Sequence, residues 1–524
     1  MRFHGLPRFR TGRKYLRLLF LLLNVVFCIT VITLLTGLTI FDRQHNNIVH
    51  DYVARKDDMI VLSTTFYKES KSFDPNTAVI LFNAVQVFHL KHDVLNVKAE
   101  TAADEEIDVL FKVQPVIGQL PFFCKWVPFI AVGQLPKGTI KAKLSTYQGE
   151  GMKLSLRDPF RAPRKVVACF SPLFLNERWQ LLLATMEIYS HYGAFMQFYV
   201  RSMITDLMTI VYTYKNVRVT PWPAVKLGRI RANGPTFDPN RELEFRNQAA
   251  AMTDCLLMYK ESAEFVLFPD PDDIIIPHLA RDYYGEFSRV FKMFPNAGAI
   301  SYNISQASIS ATIEKGPDTI TKEIVPVWWR AQAGHAPFAS QGEVLWGKLV
   351  VRPERVDSVW IHRSYGIKDD FEQVALPAHI NTGLHFRKWT FLQNSTFDLS
   401  RVPHYDPLLR NETEYRLFLA EDGEKIDKSF RRRINKEIVK KVYARLPTVS
   451  LYYPLIESCY NRIFYTKEQH STCKGPEYCE IPSFPGLKCV NVESSFTTYA
   501  GYSNLYIHQL LATKFVYSDN GCKL

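Results

Sequence analysis

The fold of this chain is organised around the stretch Glu264-Phe-Val-Leu-Phe-Pro-Asp270-Pro-Asp272-Asp273-Ile-Ile-Ile-Pro277. An apolar run of strand-forming residues ends there in three carboxylates, and a second apolar run follows at once. In open α/β sheets, ligands bind outside the carboxyl ends of the strands. Clustered carboxylates repel one another and offer hard oxygen ligands, so the stretch indicates a site for Mg²⁺ or Mn²⁺. The alternative is a simple turn rich in Asp and Pro.

Strands alternate with helices before this stretch. Residues 166–170, 195–200 and 217–220 have the pattern of buried strands, and residues 241–260 have the pattern of one long helix. This alternation predicts βαβ units and a parallel sheet. The turn at 171–178 would place a helix N-terminus, which favours anions, at the same sheet edge as the carboxylates.

Residues 59–160 have a different texture. Short β-rich runs separated by turns replace the helical periodicity. Evenly spaced strands of this kind predict a small β-sandwich-like domain in front of the α/β domain.

The N-terminus has the features of a membrane anchor. Residues 18–41 are apolar and uncharged, and residues 1–17 contain six basic residues and no acid. This pattern predicts a cytosolic tail (1–17), a single-pass signal-anchor (18–41), a stem (42–58) and a large body across the membrane. A cleaved signal peptide is the alternative.

The net charge argues against nucleic acid as a partner. The formal charge is +12, and the six basic residues of the tail leave only +6 on the rest of the chain. That excess is too small for a nucleic-acid-binding surface of this size.

The cysteines indicate an oxidising compartment. Apart from Cys28 in the anchor, eight remain, and five of them fall in the last 66 residues. This density predicts a disulfide-stapled segment at 451–524, whereas a zinc site lacks its usual Cys-x-x-Cys pair. Cys169 and Cys255 lie in apolar segments, where we expect free core thiols. N-glycosylation sequons at Asn303, Asn394 and Asn411 agree with a lumenal body.

Five short blocks then resemble glycosyltransferase family 92. They are Cys169-Phe-Ser-Pro-Leu-Phe174, Asn176-Glu-Arg-Trp-Gln180, Phe265-Val-Leu-Phe-Pro-Asp-Pro-Asp-Asp273, Lys348-Leu-Val-Val-Arg-Pro353 and His385-Phe-Arg387. Together they span about residues 165–389. The resemblance implies an α/β catalytic domain of the glycosyltransferase A type (Rossmann-like) at 161–450, with a nucleotide-sugar over the carboxyl edge of its sheet.

The resemblance also implies an activity. It is nearest to the nematode members that add β-1,4-linked galactose to the core fucose of N-glycans. We therefore expect a type II Golgi membrane enzyme that moves galactose from UDP-galactose, with inversion, onto a fucosylated N-glycan. Mn²⁺, or Mg²⁺, would be its cofactor.

The metal site follows from the same resemblance. It implies that Asp270 contacts the ribose or the metal and that Asp272 binds the metal. Asp273 would lie behind these ligands or on the acceptor side. A late histidine would complete the site, either His385 or, alternatively, His362.

Sugar-donor and acceptor groups are less specific. Asn176 and Arg178 at the first helix start, and Arg246 on the helix before the acidic strand, are candidates for the diphosphate. Inversion needs a general base beside the acceptor hydroxyl. Asp370 and Asp369 are the first candidates, because they follow a glycine-containing loop; Glu343 and Glu372 stay open.

Two other functions remain possible from the sequence. One is transfer of another sugar, such as N-acetylglucosamine or glucuronic acid. The other is a non-catalytic, membrane-tethered lectin or adhesion protein that uses the β-rich segment. The three carboxylates Asp270, Asp272 and Asp273, which we call the acidic tip, argue against the second function. A lectin of that kind needs no metal at this sheet edge.

Overall fold

Strands and helices follow one another in nearly the order that the hydrophobic pattern predicts. The structure is a computed structural model, and it describes residues 58–118, 124–146, 151–225, 239–312, 325–326, 347–392, 420–447, 449–464, 473–500 and 505–524. The strands in these ranges are β1 (Asp58–Tyr67), β2 (Thr77–Val85), β3 (Val94–Thr101), β4 (Glu106–Pro115), β5 (Trp126–Gln134), β6 (Thr139–Leu144), β7 (Met152–Lys153), β8 (Leu156–Arg157), β9 (Arg164–Cys169), β10 (Ala194–Val200), β11 (Ser202–Ile204), β12 (Val217–Pro221), β13 (Ala263–Leu267), β14 (Asp273–Ile275), β15 (Ala297–Tyr302), β16 (Ile304–Thr312), β17 (Val325–Pro326), β18 (Lys348–Val351), β19 (Glu372–Leu376), β20 (Gly383–Leu392), β21 (Cys489–Ala500) and β22 (Tyr506–Ser518). The helices are α1 (Phe88–Lys91), α2 (Trp179–His191), α3 (Thr205–Val211), α4 (Pro239–Glu242), α5 (Gln248–Tyr259), α6 (Tyr283–Met293), α7 (Ala420–Ile434), α8 (Glu437–Tyr443) and α9 (Tyr453–Phe464).

A mixed sheet in the order β12-β10-β9-β13-β18-β15-β19 forms the α/β part. Strands β12, β10, β9 and β13 are parallel, as the alternation of strands and helices predicts. The side chains of β10, β9 and β13 are mostly buried because helices such as α2 and α5 connect the strands and cover the sheet. Strand β18 runs antiparallel between β13 and β15, so its first residue lies at the carboxyl edge of β13.

The helix expected at 241–260 is wrong in its first part. Phe245, Arg246 and Asn247 have φ values of 43°, 62° and 65°, which are left-handed and interrupt the helix. The indole of Trp222 donates a hydrogen bond to the carbonyl of Arg246 (3.1 Å) and helps to hold this turn. Helix α5 begins only after it, directly behind the acidic tip.

The β-rich segment shares its sheet with strands from other parts of the chain, and a separate β-sandwich-like domain stays a prediction. Among the described residues it belongs to an 11-stranded sheet in the order β11-β21-β22-β1-β2-β5-β4-β3-β6-β7, with β8 also paired to β1. The C-terminal hairpin β21–β22 enters this sheet because β22 pairs in parallel with β1. Strand β1 therefore has a neighbour on both sides.

The two sheets share one core. Val79 and Ile130 of the larger sheet lie in the same buried cluster as Val167 of β9 and Leu256 of α5. By their contacts, all described residues fall in one compact unit, Ala54–Leu227 with Pro235–Leu524. The domain limits at 160 and 450 remain predictions, and residues on both sides of 160 pack in that common core.

Four disulfides link the cysteines of the described residues: Cys124–Cys473, Cys169–Cys255, Cys459–Cys479 and Cys489–Cys522. The predicted C-terminal staples are confirmed, although Cys473 reaches back to the β-rich segment. The expected free thiols at Cys169 and Cys255 are wrong. Cys169 ends β9 and Cys255 lies on α5, which packs on that sheet, so their Cα atoms are 6.0 Å apart.

The predicted tail, anchor and stem up to residue 57 lie outside the described residues, as do Asn394, Asn411 and Glu343. Within the described part of the chain, no helix combines the length and apolar character needed to span a bilayer.

Candidate active site

The acidic tip lies at the carboxyl edge of the central sheet, where β13 ends. Because β18 runs antiparallel to β13, it brings Lys348 to the same edge, 2.5 Å from Asp270 and 3.0 Å from Asp273. Gln248, the first residue of α5, donates a hydrogen bond to Asp270 (2.9 Å). Burial opposes the charge of Asp270, but Lys348 and a hydrogen bond from Ser171 outweigh it and hold the pKa of Asp270 below its usual range.

A second group forms beside this pair. Strands β14 and β20 pair antiparallel with Asp273 directly opposite His385, whose Nδ1 lies 2.7 Å from an oxygen of Asp273. One ligand atom from each of Asp272, Asp273 and His385 can be chosen so that all three lie within 4.8 Å of one another.

The electrostatics of this group favour an added cation. Burial raises the pKa of Asp272. The negative charges of Asp273 and Asp270 raise it further, whereas the positive charges of His385 and Arg178 lower it. Burial lowers the pKa of His385, but its hydrogen bond to Asp273 and the charge of Asp272 prevail and raise it to about 9. Buried carboxylates that crowd together in this way are stabilised by a positive charge. Two carboxylates and one imidazole fit a divalent metal such as Mn²⁺.

The two candidate histidines differ in their partners and in their pKa values. His385 joins the group with Asp272 and Asp273. His362 instead bonds to the carbonyl of Gly347 through Nδ1 (3.0 Å), and burial together with the charge of Lys348 lowers its pKa to about 4. Asp273, expected behind the ligands, stands among them.

The loop between β9 and α2 supplies Asn176 and Arg178. The guanidinium of Arg178 lies 4.0 Å from the ring centre of Tyr453. It is close enough to Asp272 to oppose the rise in the pKa of that carboxyl. The side-chain oxygen of Asn176 is buried and has no hydrogen-bond partner within the described residues. Both residues therefore lie at the same edge as the acidic tip.

Arg246 is buried, and this rules out the alternative of a charge on a helix surface. Its guanidinium lies 3.8 Å from the ring centre of Phe174, and only 9% of the residue is exposed. Burial lowers the pKa of Arg246, while Tyr460 and Glu477 oppose that change. The Nε of Arg246 is buried and has no hydrogen-bond partner among the described residues.

Asp369 and Asp370 are not at this edge. They precede β19, which runs parallel to β15 with Glu372 opposite Ala297, at the amino end of both strands. Both carboxylates are exposed there. The structure thus places these two residues and Glu372 at the opposite edge of the sheet from Asp272, Asp273 and His385, which we call the metal group. We therefore do not retain them as general bases.

Asn303 is also placed differently from a surface glycosylation site. It is partly buried between β15 and β16, and its amide donates to the carbonyl of Leu376 (3.4 Å). An attached glycan would require this contact to open.

The sequence did not predict several residues of the site. Lys348 stands in one of the family-like blocks, and its position at the start of an apolar run was the available signal. Gln248, Arg201 and Tyr453 have no such local signal, because distant segments bring them to the edge.

A cavity of about 170 Å³ opens between Trp222 and the C-terminal hairpin β21–β22. Its lining includes Arg201, Trp222, Asn491 and Tyr517. Arg201 and Trp222 follow the carboxyl ends of β10 and β12, and the indole of Trp222 contacts the carbonyl of Arg246. The cavity is therefore on the same sheet edge as the metal group.

Comparison with known proteins gives a consistent result. The model of glycosyltransferase family 92 matches residues 164–438. The chain is 57% identical over 516 residues to the Caenorhabditis elegans glycosyltransferase family 92 protein F59C6.8, covering 98% of each, and 28% identical over 484 residues to the worm protein F13G3.3, covering 89% and 90%. A solved galactosyltransferase with donor and acceptor sugar analogues aligns with 55% of this chain and 99% of its own at 10% identity, with a TM-score of 0.23, too low to indicate a common fold. On the family model and the relatives, the chain belongs to glycosyltransferase family 92.

Proposed function

We propose that this glycosyltransferase moves galactose from UDP-galactose, with inversion, onto a fucosylated N-glycan, by β-1,4 linkage to the core fucose. The observation that carries the metal-dependent part is the convergence of Asp272, Asp273 and His385 at the carboxyl edge. The galactosyl donor and the acceptor rest on the resemblance of the family-like blocks alone.

A bound Mn²⁺ or Mg²⁺, held by Asp272, Asp273 and His385, would supply Lewis-acid charge to the departing diphosphate. The chain itself supplies further positive charge. Arg178 and Arg246 flank the acidic tip and can donate to phosphate oxygens. Lys348 keeps Asp270 ionised, so that Asp270 can accept a hydrogen bond from a hydroxyl of the sugar donor.

We place the nucleoside in the cavity lined by Arg201, Trp222 and Tyr517. Trp222 and Tyr517 contribute ring surface to its lining, and Arg201 contributes donors, one of which, Nε, has no partner within the described residues. Because Arg201 and Trp222 follow the carboxyl ends of β10 and β12, a nucleoside there would lie at the same sheet edge as the metal group.

We also propose a lumenal Golgi location for the reaction, with residues 18–41 as the anchor. The disulfides support it, because such bonds persist in the secretory compartments and are rare in the cytosol.

One assay tests the proposal. Full-length protein in detergent is incubated with UDP-galactose, UDP-N-acetylglucosamine or UDP-glucuronic acid, with core-fucosylated or fucose-free N-glycans, and with Mn²⁺, Mg²⁺ or EDTA. We expect product only with UDP-galactose, a fucosylated acceptor and metal. Transfer of a different sugar corrects the donor, and glycan binding without any transfer supports the lectin alternative.

A further inference from the structure

Helix α9 is attached to the same loop that faces the metal group. The carboxylate of Glu177, which is 3% exposed, accepts hydrogen bonds from the backbone N–H groups of Leu451 (2.7 Å), Tyr452 (2.6 Å) and Tyr453 (2.9 Å). These are N–H groups that the start of a helix leaves without partners. Because Arg178 is the next residue, the position of α9 and the position of Arg178 are coupled.

One face of α9 looks toward the arginines of the site. Tyr453 and Tyr460 are seven residues apart and therefore lie on the same side of the helix. The ring of Tyr453 lies 4.0 Å from the guanidinium of Arg178, and Tyr460 is close enough to Arg246 to affect its charge. The C-terminal segment thus contacts Arg178 and lies near Arg246.

Covalent and buried contacts fix this helix in place. Cys459 of α9 is bonded to Cys479. Glu477, two residues before Cys479, forms an ion pair with Arg201 (2.6 Å) at the cavity. The hydroxyl of Tyr452 accepts a hydrogen bond from the backbone of Cys522 (2.7 Å). A helix held in this way presents Tyr453 at a fixed position.

We propose that Tyr453 is a positioning residue for the sugar donor: its ring packs against the guanidinium of Arg178 and orients that guanidinium for the diphosphate. Helix α9, which lies beyond the residues matched by the family model, is then one wall of the donor site. A guanidinium that is already stacked on a ring loses less side-chain freedom when it binds phosphate. This inference rests on the proposed function, since it requires a nucleotide-sugar as the substrate.

The test is the steady-state kinetics of full-length protein as the nucleotide-sugar concentration is varied. We expect Tyr453→Leu to raise KM for the nucleotide-sugar about three- to tenfold with little change in kcat, as the loss of one cation–π contact predicts. Tyr453→Phe keeps the ring and should recover most of the affinity. The double variant Arg178→Ala/Tyr453→Leu should bind no more weakly than Arg178→Ala alone, because Tyr453 acts through Arg178.

The matched control is Phe195→Leu. Phe195 also lies under an arginine, with Arg164 at 3.5 Å, but this pair is at the amino ends of β10 and β9, away from the metal group. Its KM should equal that of the wild type. If Tyr453→Leu does not fold, as judged by its melting temperature, Arg178→Lys replaces it, since lysine keeps the charge but cannot stack flat.

Two outcomes overturn the inference while the proposed function stands: a wild-type KM in Tyr453→Leu or Arg178→Lys, or additive effects in the double variant. Wild-type protein that transfers no sugar from any nucleotide-sugar overturns the proposed function and this inference with it.

Discussion

At the scale of single residues, the three carboxylates of the acidic tip have different surroundings. Lys348 holds the pKa of both Asp270 and Asp273 below the usual range in spite of burial. Asp272 shows the opposite shift, because burial and its two acidic neighbours oppose its charge. Asp272 is therefore the carboxylate that gains most from a bound cation.

We expect Asp272→Asn to lower sugar transfer at least about a hundredfold, the loss usual when a metal site is disturbed. The melting temperature of the metal-free protein should stay the same or rise, since asparagine removes like-charge repulsion. Thermal scans check the metal directly: Mn²⁺ should raise the melting temperature of the wild type but not of the variant. Asp370→Asn, at the opposite sheet edge, is the control, and an Asp272→Asn variant that keeps both turnover and the Mn²⁺ shift refutes the assignment.

Lys348→Met tests the charge balance under the tip. Its side chain is only 3% exposed, and its loss removes the ammonium that pairs with both Asp270 and the buried Asp273, so we expect the free energy of unfolding to fall by about 3–5 kcal/mol. Urea unfolding in EDTA measures this. The control is Lys98→Met, which breaks an exposed pair with Glu106 (3.7 Å) and should cost about 1 kcal/mol or less. Equal midpoints for the two variants contradict the prediction.

At the scale of elements, β9 and α5 together determine where the acidic tip is held. Ser171 follows β9 and Gln248 begins α5, and both donate to Asp270. The disulfide Cys169–Cys255 joins these two elements within the buried core. It thereby fixes Ser171 and Gln248, two of the hydrogen-bond donors of Asp270, relative to each other.

Replacing that disulfide should weaken the fold and the site together. For Cys169→Ala/Cys255→Ala we expect a loss of about 2–5 kcal/mol of unfolding free energy, the range for native disulfides. The KM for the nucleotide-sugar should also rise, because Gln248 is no longer tied to β9. Urea unfolding and donor kinetics of the same preparation measure both effects. A destabilised variant with an unchanged KM would show that the disulfide only supports the fold.

What was predictable at this scale depended on local pattern. Buried runs such as β9, β10 and β13 have strand-forming residues throughout, so their positions followed from periodicity. The break at Phe245–Asn247 did not, because Trp222 and other distant groups hold that left-handed turn. Likewise, the choice of His385 over His362 depends on the register of β14 with β20, which no short stretch of sequence encodes.

At the scale of the whole molecule, the C-terminal hairpin joins the β-rich sheet to the α/β sheet. Strand β22 pairs with β1, and β21 pairs with β11, which directly follows β10. The sequence indicated that the segment 451–524 is stapled by disulfides, but it did not indicate which strands this segment pairs with. Parallel pairing between strands so far apart along the chain leaves no local signal. The described residues therefore form one compact unit, and the C-terminal hairpin is part of it.

Deleting residues 489–524 should then prevent folding of the whole body rather than remove an accessory segment. The deletion takes away β22, the neighbour of β1 over residues 58–61, the disulfide Cys489–Cys522 and the contact of Cys522 with Tyr452 behind α9. We expect the truncated protein to be retained in the endoplasmic reticulum or to aggregate. Protease should cut any soluble fraction at sites in β1 and β2 that are buried in the full chain. Leu511→Ser, a change at an exposed position of the same hairpin, should fold and transfer sugar normally. A truncated protein that resists protease and still binds nucleoside diphosphate would show that the hairpin is dispensable and that the α/β sheet folds without it.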